Sequence, residues 1–281
     1  YDDGDKAPRA KSPKAPERPE AEGVTKGGRA ACGDRGKEMR EAIVEKLRGI
    51  ERDEGIRILH AVESGSRAWG FASPDSDYDV RFIYLRPREH YLRLDRVRDV
   101  LELPVDSVWD VNGWDLQKAL RLLHAANPTL FEWCQSPIVY QTTPFFAERL
   151  LPVIQRYFSS RAGIWHYLSM AEEQYGRYLQ GERVRPKKYF YALRPILACE
   201  WILERRTPPP MAFAELAAAQ LPPELQGPVE ELLALKRRGG ELAEIPRVDA
   251  LNAFMLRELE RLRARAAALP RDSQRDWGLL N

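Results

Sequence analysis

The stretch that decides the fold, residues 63–82, reads ESGSRAWGFASPDSDYDVRF. Within it, three aspartates occupy alternate positions: Asp75, Asp77 and Asp79. This D-x-D-x-D spacing also opens the calcium loop of an EF-hand, which needs a glycine at its sixth position and a glutamate at its twelfth. Val80 and Arg86 stand at those two positions. The spacing therefore does not indicate a calcium loop, and the crowded carboxylates need another explanation.

Asp77 and Asp79 stand at the start of a predicted strand, YDVRFIYL, residues 78–85. Residues two apart on a strand point to the same face, so both carboxylates enter one small volume. Two carboxylates held that close repel each other unless a cation lies between them. Magnesium suits the position because it takes oxygen ligands and leaves coordination sites open for water or substrate phosphates. The pattern predicts Mg²⁺, or Mn²⁺ in its place, in a site for phosphoryl transfer.

A Gly-Ser turn, Gly65 and Ser66, directly follows the predicted strand IRILHAVE, residues 56–63. Glycine lets backbone amides approach a phosphate closely, and the serine adds a hydroxyl group. Arg67 adds a positive charge. The alternative is an ordinary hairpin whose aspartates only keep a turn soluble. The order of strand, Gly-Ser turn and Asp-x-Asp strand favours a turn that holds a triphosphate.

The helical half of the chain carries a basic and aromatic segment, RPKKYFYALRP, residues 185–195. A helix that starts at its first proline places Lys187, Tyr191 and Arg194 on one face. Such a face suits a triphosphate or a stacked base, with lysine as a point charge and arginine as a fork. The alternative is a solvated helix face with its tyrosines in the core. Spacing does not decide whether Lys187 or Lys188 faces the nucleotide.

Composition divides the 281 residues into three predicted segments. Residues 1–37 combine Pro, Gly, Ala and mixed charge with almost no large apolar side chain, so we expect a disordered leader. Met39 is a more natural start than Tyr1. Residues 38–140 alternate strands and helices, with a third strand predicted in VLELPV (residues 100–105) and a fourth in SVWDVNG (residues 107–113). Residues 141–281 read as helices throughout. The predicted fold class is α+β, a mixed sheet with flanking helices followed by an all-α domain.

Charge and cysteine content narrow the classes of function. The formal net charge is +2, and residues 1–37 carry nine Lys/Arg against seven Asp/Glu, so the remainder sums to zero. Any basic surface for nucleic acid must therefore be local. Cys32, Cys134 and Cys199 lack the spacing of a metal site or a disulfide framework, which predicts a reduced, cytoplasmic setting. No run of about 18 apolar residues is present to span a membrane.

The order of strand, Gly-Ser turn and Asp-x-Asp strand resembles the DNA polymerase β-like nucleotidyltransferase superfamily. Four stretches are similar, in order, to the RNA-ligase-associated polymerase-like (RlaP) family: ESGSRAWGFASPDSDYDVRFIY, NGWDLQKALRLL, NPTLFEWCQSPIVY and KKYFYALRPILACEWI. The similarity runs from about Met39 to near the C-terminus. The resemblance implies a mixed sheet with flanking helices. It also implies that Asp77 and Asp79 bind the metal and that Gly65 and Ser66 form the triphosphate turn.

A polymerase-like site also needs a third carboxylate on a neighbouring strand. The stretch VDSVWDVNGWDL, residues 105–116, offers three candidates: Asp106, Asp110 and Asp115. Trp109 and Val111 suit the packed face of a strand, which sends Asp110 to the opposite face. Asp115 is a plausible N-cap of the next helix, as Asn127 is of the helix after that, and Asp106 lies close to a turn broken by proline. Asp110 is favoured, and the other two remain open.

The resemblance implies a magnesium-dependent enzyme that moves a nucleotide from an NTP to an acceptor hydroxyl and releases pyrophosphate. In the characterised branch of the family the acceptor is an RNA 3′ end, and an RNA ligase is expected in the same repair pathway. Nucleotidylation of a protein or a small molecule by the same fold is the first alternative. The second is a module that senses NTP without chemistry, although such a module has little reason to keep two crowded carboxylates.

Overall fold

The computed structural model describes residues 30–74, 76–95, 97–104, 108–238, 243–270 and 276–281. Residues 41–281 form one compact unit, which holds every element except the first part of helix α1. This helix (Ala30–Glu54) begins inside the segment predicted to be a disordered leader, so the last residues of that segment are helical instead. No proline lies between Pro19 and Pro74 to break a helix there. Residues 1–29 of the predicted leader lie outside the described residues.

A five-stranded mixed sheet carries the predicted site. Its strands are β1 (Arg57–Glu63), β2 (Tyr78–Leu85), β3 (Val100–Glu102), β4 (Trp109–Asp115) and β5 (Val139–Thr142), in the spatial order β3-β4-β2-β1-β5. β2 and β4 run parallel, whereas the other neighbouring strands are antiparallel. The sequence predicts the first four strands. It misses β5, a short edge strand that lies between Pro137 and Pro144.

Helices flank the sheet and make up most of the remaining chain. Those before β5 are α2 (Gly65–Ala68), α3 (Arg88–Tyr91), α4 (Leu116–His124) and α5 (Pro128–Cys134). After β5, a π-helical turn (Phe146–Leu150) leads to α6 (Leu151–Gln155), α7 (Ser160–Tyr178), α8 (Pro186–Arg205), α9 (Phe213–Gln220), α10 (Pro223–Arg237) and α11 (Asp249–Ala268). Two very short strands, β6 (Arg183–Val184) and β7 (Ile245–Pro246), pair antiparallel. The predicted fold class, a mixed sheet with flanking helices and a helical C-terminal portion, is confirmed.

Side-chain caps start two helices where the sequence predicts them. At the start of α4, the Asp115 carboxylate accepts a hydrogen bond of 2.8 Å from the backbone N–H of Gln117. At the start of α5, the Asn127 side chain accepts one of 3.0 Å from the N–H of Thr129, and Pro128 occupies the first turn. Both predicted caps are confirmed, and each kind of cap typically stabilises a helix by about 1 kcal/mol.

Two apolar clusters form the core of residues 41–281. The first joins the sheet to α4, α5 and α6, and the second joins helices α7 to α11. Phe158 packs against both clusters, and Phe71 reaches from the loop between α2 and β2 into the second. That loop is therefore anchored in the helical half. The domain boundary near residue 140 stays a prediction, because Phe146 and Ile154 still belong to the sheet-side cluster.

Membrane-spanning helices are absent from the part of the chain that the structure describes, since no helix there combines the length and the apolar character that a bilayer requires.

Candidate active site

Two of the predicted carboxylates meet at the start of neighbouring parallel strands. Asp79 on β2 and Asp110 on β4 occupy paired positions in the register. The guanidinium of Arg81 lies between them, with Nη2 at 3.1 Å from Asp79 Oδ1 and 2.7 Å from Asp110 Oδ2. Burial raises the pKa of the Asp79 carboxyl, and the charges of Asp110 and Asp77 raise it further against the opposing effect of Arg81. The site is thus a crowded group of carboxylates with one guanidinium bound between two of them.

The predicted triphosphate turn lies directly against the Asp79 carboxylate. Gly65 has a φ of +58°, a left-handed conformation that L side chains rarely adopt. A Cβ added there would lie 2.0 Å from Asp79 Oδ2, so no other residue fits without displacing the carboxylate. The backbone N–H of Ser64 donates to the carbonyl of Asp79 at 2.8 Å, and Ser66 is buried in the following turn. The Gly-Ser turn and the Asp-x-Asp strand therefore belong to one site.

Arg67 secures the chain that leads into β2. Its Nε donates to the carbonyl of Asp77 at 3.1 Å, and its Nη2 donates to the carbonyl of Ser76 at 2.6 Å. The guanidinium also lies 3.7 Å from the centre of the Tyr78 ring. Asp77 itself is exposed. The contacts of Arg67 show how it orients this loop, and its predicted contact with a nucleotide stays a prediction.

A buried carboxylate behind Asp79 was missed by the sequence reasoning. Glu63, the last residue of β1, has an exposed fraction of 0%. Its Oε1 accepts a hydrogen bond of 3.0 Å from the backbone N–H of Asp79, and its Oε2 accepts one of 2.6 Å from the hydroxyl of Tyr140. Burial raises the pKa of Glu63 to about 7, although both hydrogen bonds lower it. The available signal was an acidic residue at the end of an otherwise apolar strand.

Helix α8 brings its basic and aromatic residues to the far side of the turn. The ring of Tyr191 meets the ring of Trp69, just after α2, edge-on at 5.4 Å. Lys188 Nζ lies 3.5 Å from the centre of the Tyr178 ring and 5.7 Å from that of Tyr191. Burial lowers the pKa of Lys188, and the charges of its neighbouring cations Lys187, Arg177 and Arg185 lower it further. These four cations form a concentrated positive surface near the start of α8.

Arg194 turns into the core instead of toward this surface. Its exposed fraction is 1%, and its Nη1 forms an ion pair of 2.9 Å with Glu132 on α5. Its Nε donates to the carbonyl of Met211 at 3.2 Å, and the hydroxyl of Tyr167 donates to the same Glu132 oxygen at 2.9 Å. Sequence spacing did not reveal this partner on α5, and the predicted contact of Arg194 with a nucleotide stays a prediction.

The comparison with protein families agrees with this geometry. Residues 39–281 match the model of the family described as RlaP, the RNA repair pathway DNA polymerase beta family. The chain belongs to the RlaP family. A Bacillus subtilis (strain 168) protein called "Uncharacterized protein YcgL" is 46% identical over 235 residues, which cover 82% of this chain and 89% of that protein. The family therefore connects this RlaP chain to the DNA polymerase β-like proteins of an RNA repair pathway.

One solved structure is also similar to the RlaP chain. It is described as a nucleotidyltransferase-like protein from Exiguobacterium sibiricum 255-15, at 1.90 Å resolution. The sequence identity is 13%, the match covers 79% of this chain and 75% of that chain, and the TM-score is 0.30.

Of the other two candidates for the third carboxylate of the RlaP chain, Asp115 does not join Asp79. Asp115 pairs with Tyr84 at the opposite end of the parallel strands, caps α4, and accepts a hydrogen bond of 2.9 Å from the hydroxyl of Tyr91. Asp106 lies outside the described residues. Among the described candidates, Asp110 alone is a neighbour of Asp79 in the sheet.

The donor set suits a hard divalent cation, although it is not assembled as a complete metal centre. Among the described residues, no three His, Cys, Asp or Glu side chains stand together as a metal-binding group. The Asp79 and Asp110 carboxylates supply oxygen ligands of the type that magnesium prefers. Arg81 shows that the space between them accommodates positive charge. A metal ion would have to displace this guanidinium or share the carboxylates with it.

Proposed function

We propose that this RlaP chain is a nucleotidyltransferase that uses Mg²⁺, or Mn²⁺, to move a nucleotide from an NTP to an RNA 3′ hydroxyl and release pyrophosphate. The proposal rests chiefly on the contact of Gly65 with the Asp79 carboxylate beside Asp110. That contact puts a turn suited to phosphate next to paired carboxylates suited to a divalent cation. Membership of an RNA repair family supports RNA as the acceptor, and an RNA ligase would then use the repaired end.

The metal would be held by the predicted carboxylates Asp77, Asp79 and Asp110. When bound, a divalent cation neutralises charge on the triphosphate and makes the attacking hydroxyl a better nucleophile. Burial raises the pKa of the Asp79 carboxyl, and the charges of Asp110 and Asp77 raise it further, so an added cation relieves the repulsion among the carboxylates. Asp77 is exposed, so a cation that it binds can also take a ligand from a substrate phosphate.

Proton transfer from the acceptor falls to Asp110. Its carboxylate takes the proton of the RNA 3′ hydroxyl, and the hydroxyl oxygen attacks the α-phosphorus of the NTP. The bond from that phosphorus to the bridging oxygen breaks, and its electron pair leaves with pyrophosphate. The RNA gains one nucleotide, and the proton passes from Asp110 to solvent. The protein forms no covalent bond in this reaction, so it accelerates the transfer by positioning the substrates and stabilising charge.

The triphosphate and the base have separate contacts in this proposal. Backbone amides of the Gly65–Ser66 turn and the Ser66 hydroxyl contact the phosphates. The cations at the start of α8, Lys187 and Lys188 foremost, offset the remaining negative charge. Tyr191, packed edge-on against Trp69, offers an aromatic face to the base. Arg67 orients the loop between these contacts through its bonds to backbone carbonyls.

The test is extension of a short single-stranded RNA with each labelled NTP in turn, with Mg²⁺ or Mn²⁺, followed on a denaturing gel. We expect a ladder that grows from the RNA 3′ end and disappears in Asp79→Asn and Asp110→Asn. Asp115→Asn is the matched control, because asparagine also caps helices and residue 115 lies at the other end of the strands. Activity lost in Asp115→Asn and kept in Asp110→Asn would overturn the assignment of the third carboxylate.

Other outcomes of the same experiment separate the alternatives. Pyrophosphate released without RNA extension would contradict the RNA acceptor and direct the search to protein or small-molecule hydroxyls. Tight NTP binding without pyrophosphate release under either metal would contradict catalysis and support an NTP-sensing module.

A further inference from the structure

Glu63 is a fully buried carboxylate beside the candidate site. Within the described residues, neither of its oxygens forms a salt bridge, although Glu63 is fully buried. Burying a carboxylate lowers the stability of the fold unless it is paired and hydrogen-bonded. An apolar residue at the end of β1 would therefore favour folding more than a glutamate does. Both oxygens are hydrogen-bonded, one to the N–H of Asp79 and one to Tyr140. The side chain therefore has a specific task at this position.

Strand pairing alone does not account for that side chain. The backbone N–H of Glu63 donates to the carbonyl of Ile138 at 2.9 Å, and its own carbonyl accepts from the Ser136 hydroxyl at 2.6 Å. These bonds join β1 to the chain before β5 and would form with any residue at position 63. The carboxylate instead accepts the hydrogen bond of the Asp79 N–H on β2, just beyond the last paired residue of β1.

The role of the Glu63 carboxylate follows from where β1 ends, just before the Gly-Ser turn. Glu63 is the last residue of β1 to pair with β2, opposite Val80, and the chain turns away at Gly65. The Asp79 N–H is bonded there by Glu63 Oε1, while the Asp79 carbonyl accepts from the Ser64 N–H. The backbone of Asp79 is thus held from both sides, and its carboxylate is directed against Gly65.

We infer that Glu63 is a positioning residue for Asp79 and that Tyr140 holds the Glu63 carboxylate in place for that task. The inference rests on the proposed function, in which Asp79 binds the metal. Tyr140 on β5 donates to Glu63 over a short distance of 2.6 Å, and β5 is paired with β1. The edge strand thereby contributes to the site without contacting the metal or the substrate. Outer partners of metal ligands typically change metal affinity or activity by about 10–100-fold.

The experiment compares Glu63→Gln, Glu63→Leu and Tyr140→Phe with the wild type in the full chain. The readouts are Mn²⁺ affinity by electron paramagnetic resonance without nucleotide, kcat and KM for RNA extension, and hydrogen exchange of the Asp79 amide. Glutamine keeps an acceptor for the Asp79 N–H, so its Mn²⁺ affinity should stay within about threefold of wild type. Leucine removes that acceptor and should weaken Mn²⁺ roughly tenfold, lower kcat at unchanged KM for RNA, and speed exchange at Asp79.

Tyr140→Phe keeps Glu63 and removes only its hydrogen bond from Tyr140. It therefore still tests the inference if the Glu63→Leu variant fails to fold. It should weaken Mn²⁺ severalfold, whereas Tyr167→Phe, which also removes a buried tyrosine bond to a carboxylate, should leave Mn²⁺ affinity unchanged. A glutamine variant as inactive as the leucine variant would overturn positioning and indicate that the charge of Glu63 acts directly. Unchanged Mn²⁺ affinity and unchanged Asp79 exchange in the Tyr140→Phe and leucine variants would also overturn it.

The readouts separate this inference from the proposed function. A wild type that binds Mn²⁺ but transfers no nucleotide contradicts the proposed function, while the affinity series still tests Glu63. A wild type that binds no Mn²⁺ contradicts both the metal site and the task assigned to Glu63.

Discussion

Replacing Gly65 by alanine tests the geometry of the site at its most constrained point. The added Cβ would lie 2.0 Å from Asp79 Oδ2 and 2.8 Å from its Cγ, whereas real Cβ atoms essentially never come closer than 3.0 Å. The turn or the carboxylate must therefore move by about 1 Å, and a misplacement of that size can cost about 100-fold in rate. In the folded state of Gly65→Ala, the left-handed backbone costs about 1–2 kcal/mol of stability, and an off-rotamer Asp79 side chain costs about 1 kcal/mol more.

Gly55 provides the matched control for this variant. Its φ is +59°, nearly that of Gly65, but a Cβ added at Gly55 meets nothing within 4 Å. Gly55→Ala should therefore lose about 1–2 kcal/mol of unfolding free energy while kcat per folded molecule stays at the wild-type value. Urea unfolding gives the stability of both variants, and RNA extension well below the unfolding transition gives kcat. A Gly65→Ala enzyme within a few-fold of Gly55→Ala would refute the placement of Asp79 at the reacting centre.

Three further predictions concern charges and a buried ring. Arg81→Met should tighten Mn²⁺ binding severalfold in a calorimetric titration, because it removes the cation that the metal must displace; weaker or equal binding would contradict that competition. Arg194→Met should lower the free energy of unfolding by about 3–5 kcal/mol, because it leaves the largely buried carboxylate of Glu132 without its cation. Adding Glu132→Gln should restore part of the loss without changing KM for NTP, and a raised KM would assign Arg194 to the nucleotide instead. Burial lowers the pKa of His60 to about 4 from an ordinary value of 6.5, so the unfolded chain binds the proton first as pH falls. Relative to His60→Gln, the wild type should therefore lose about 2 kcal/mol of unfolding free energy between pH 7 and pH 5. Urea unfolding of both proteins at each pH checks this difference, because the raised pKa of Glu63 acts over the same range in both; a difference that does not change with pH would contradict it.

Local signals in the sequence were enough for the elements that hold the predicted site. Strand β2 follows from a run of apolar and aromatic residues, and the starts of α4 and α5 follow from the caps Asp115 and Asn127. The Gly-Ser turn and the Asp-x-Asp pair are close in the chain, so the sequence also predicted their proximity. Each of these features depends on interactions among residues a few positions apart, which spacing and residue type report directly.

Tertiary structure alone decided which distant residues complete that site. The parallel pairing of β2 with β4 brings Asp110 beside Asp79 and places Arg81 between them, and no local pattern states which strands pair. The edge strand β5 is too short to be recognised by periodicity, yet it supplies Tyr140 to Glu63. These contacts join residues far apart in the chain, so they form only when the fold brings the strands together and burial makes an unpaired carboxylate costly.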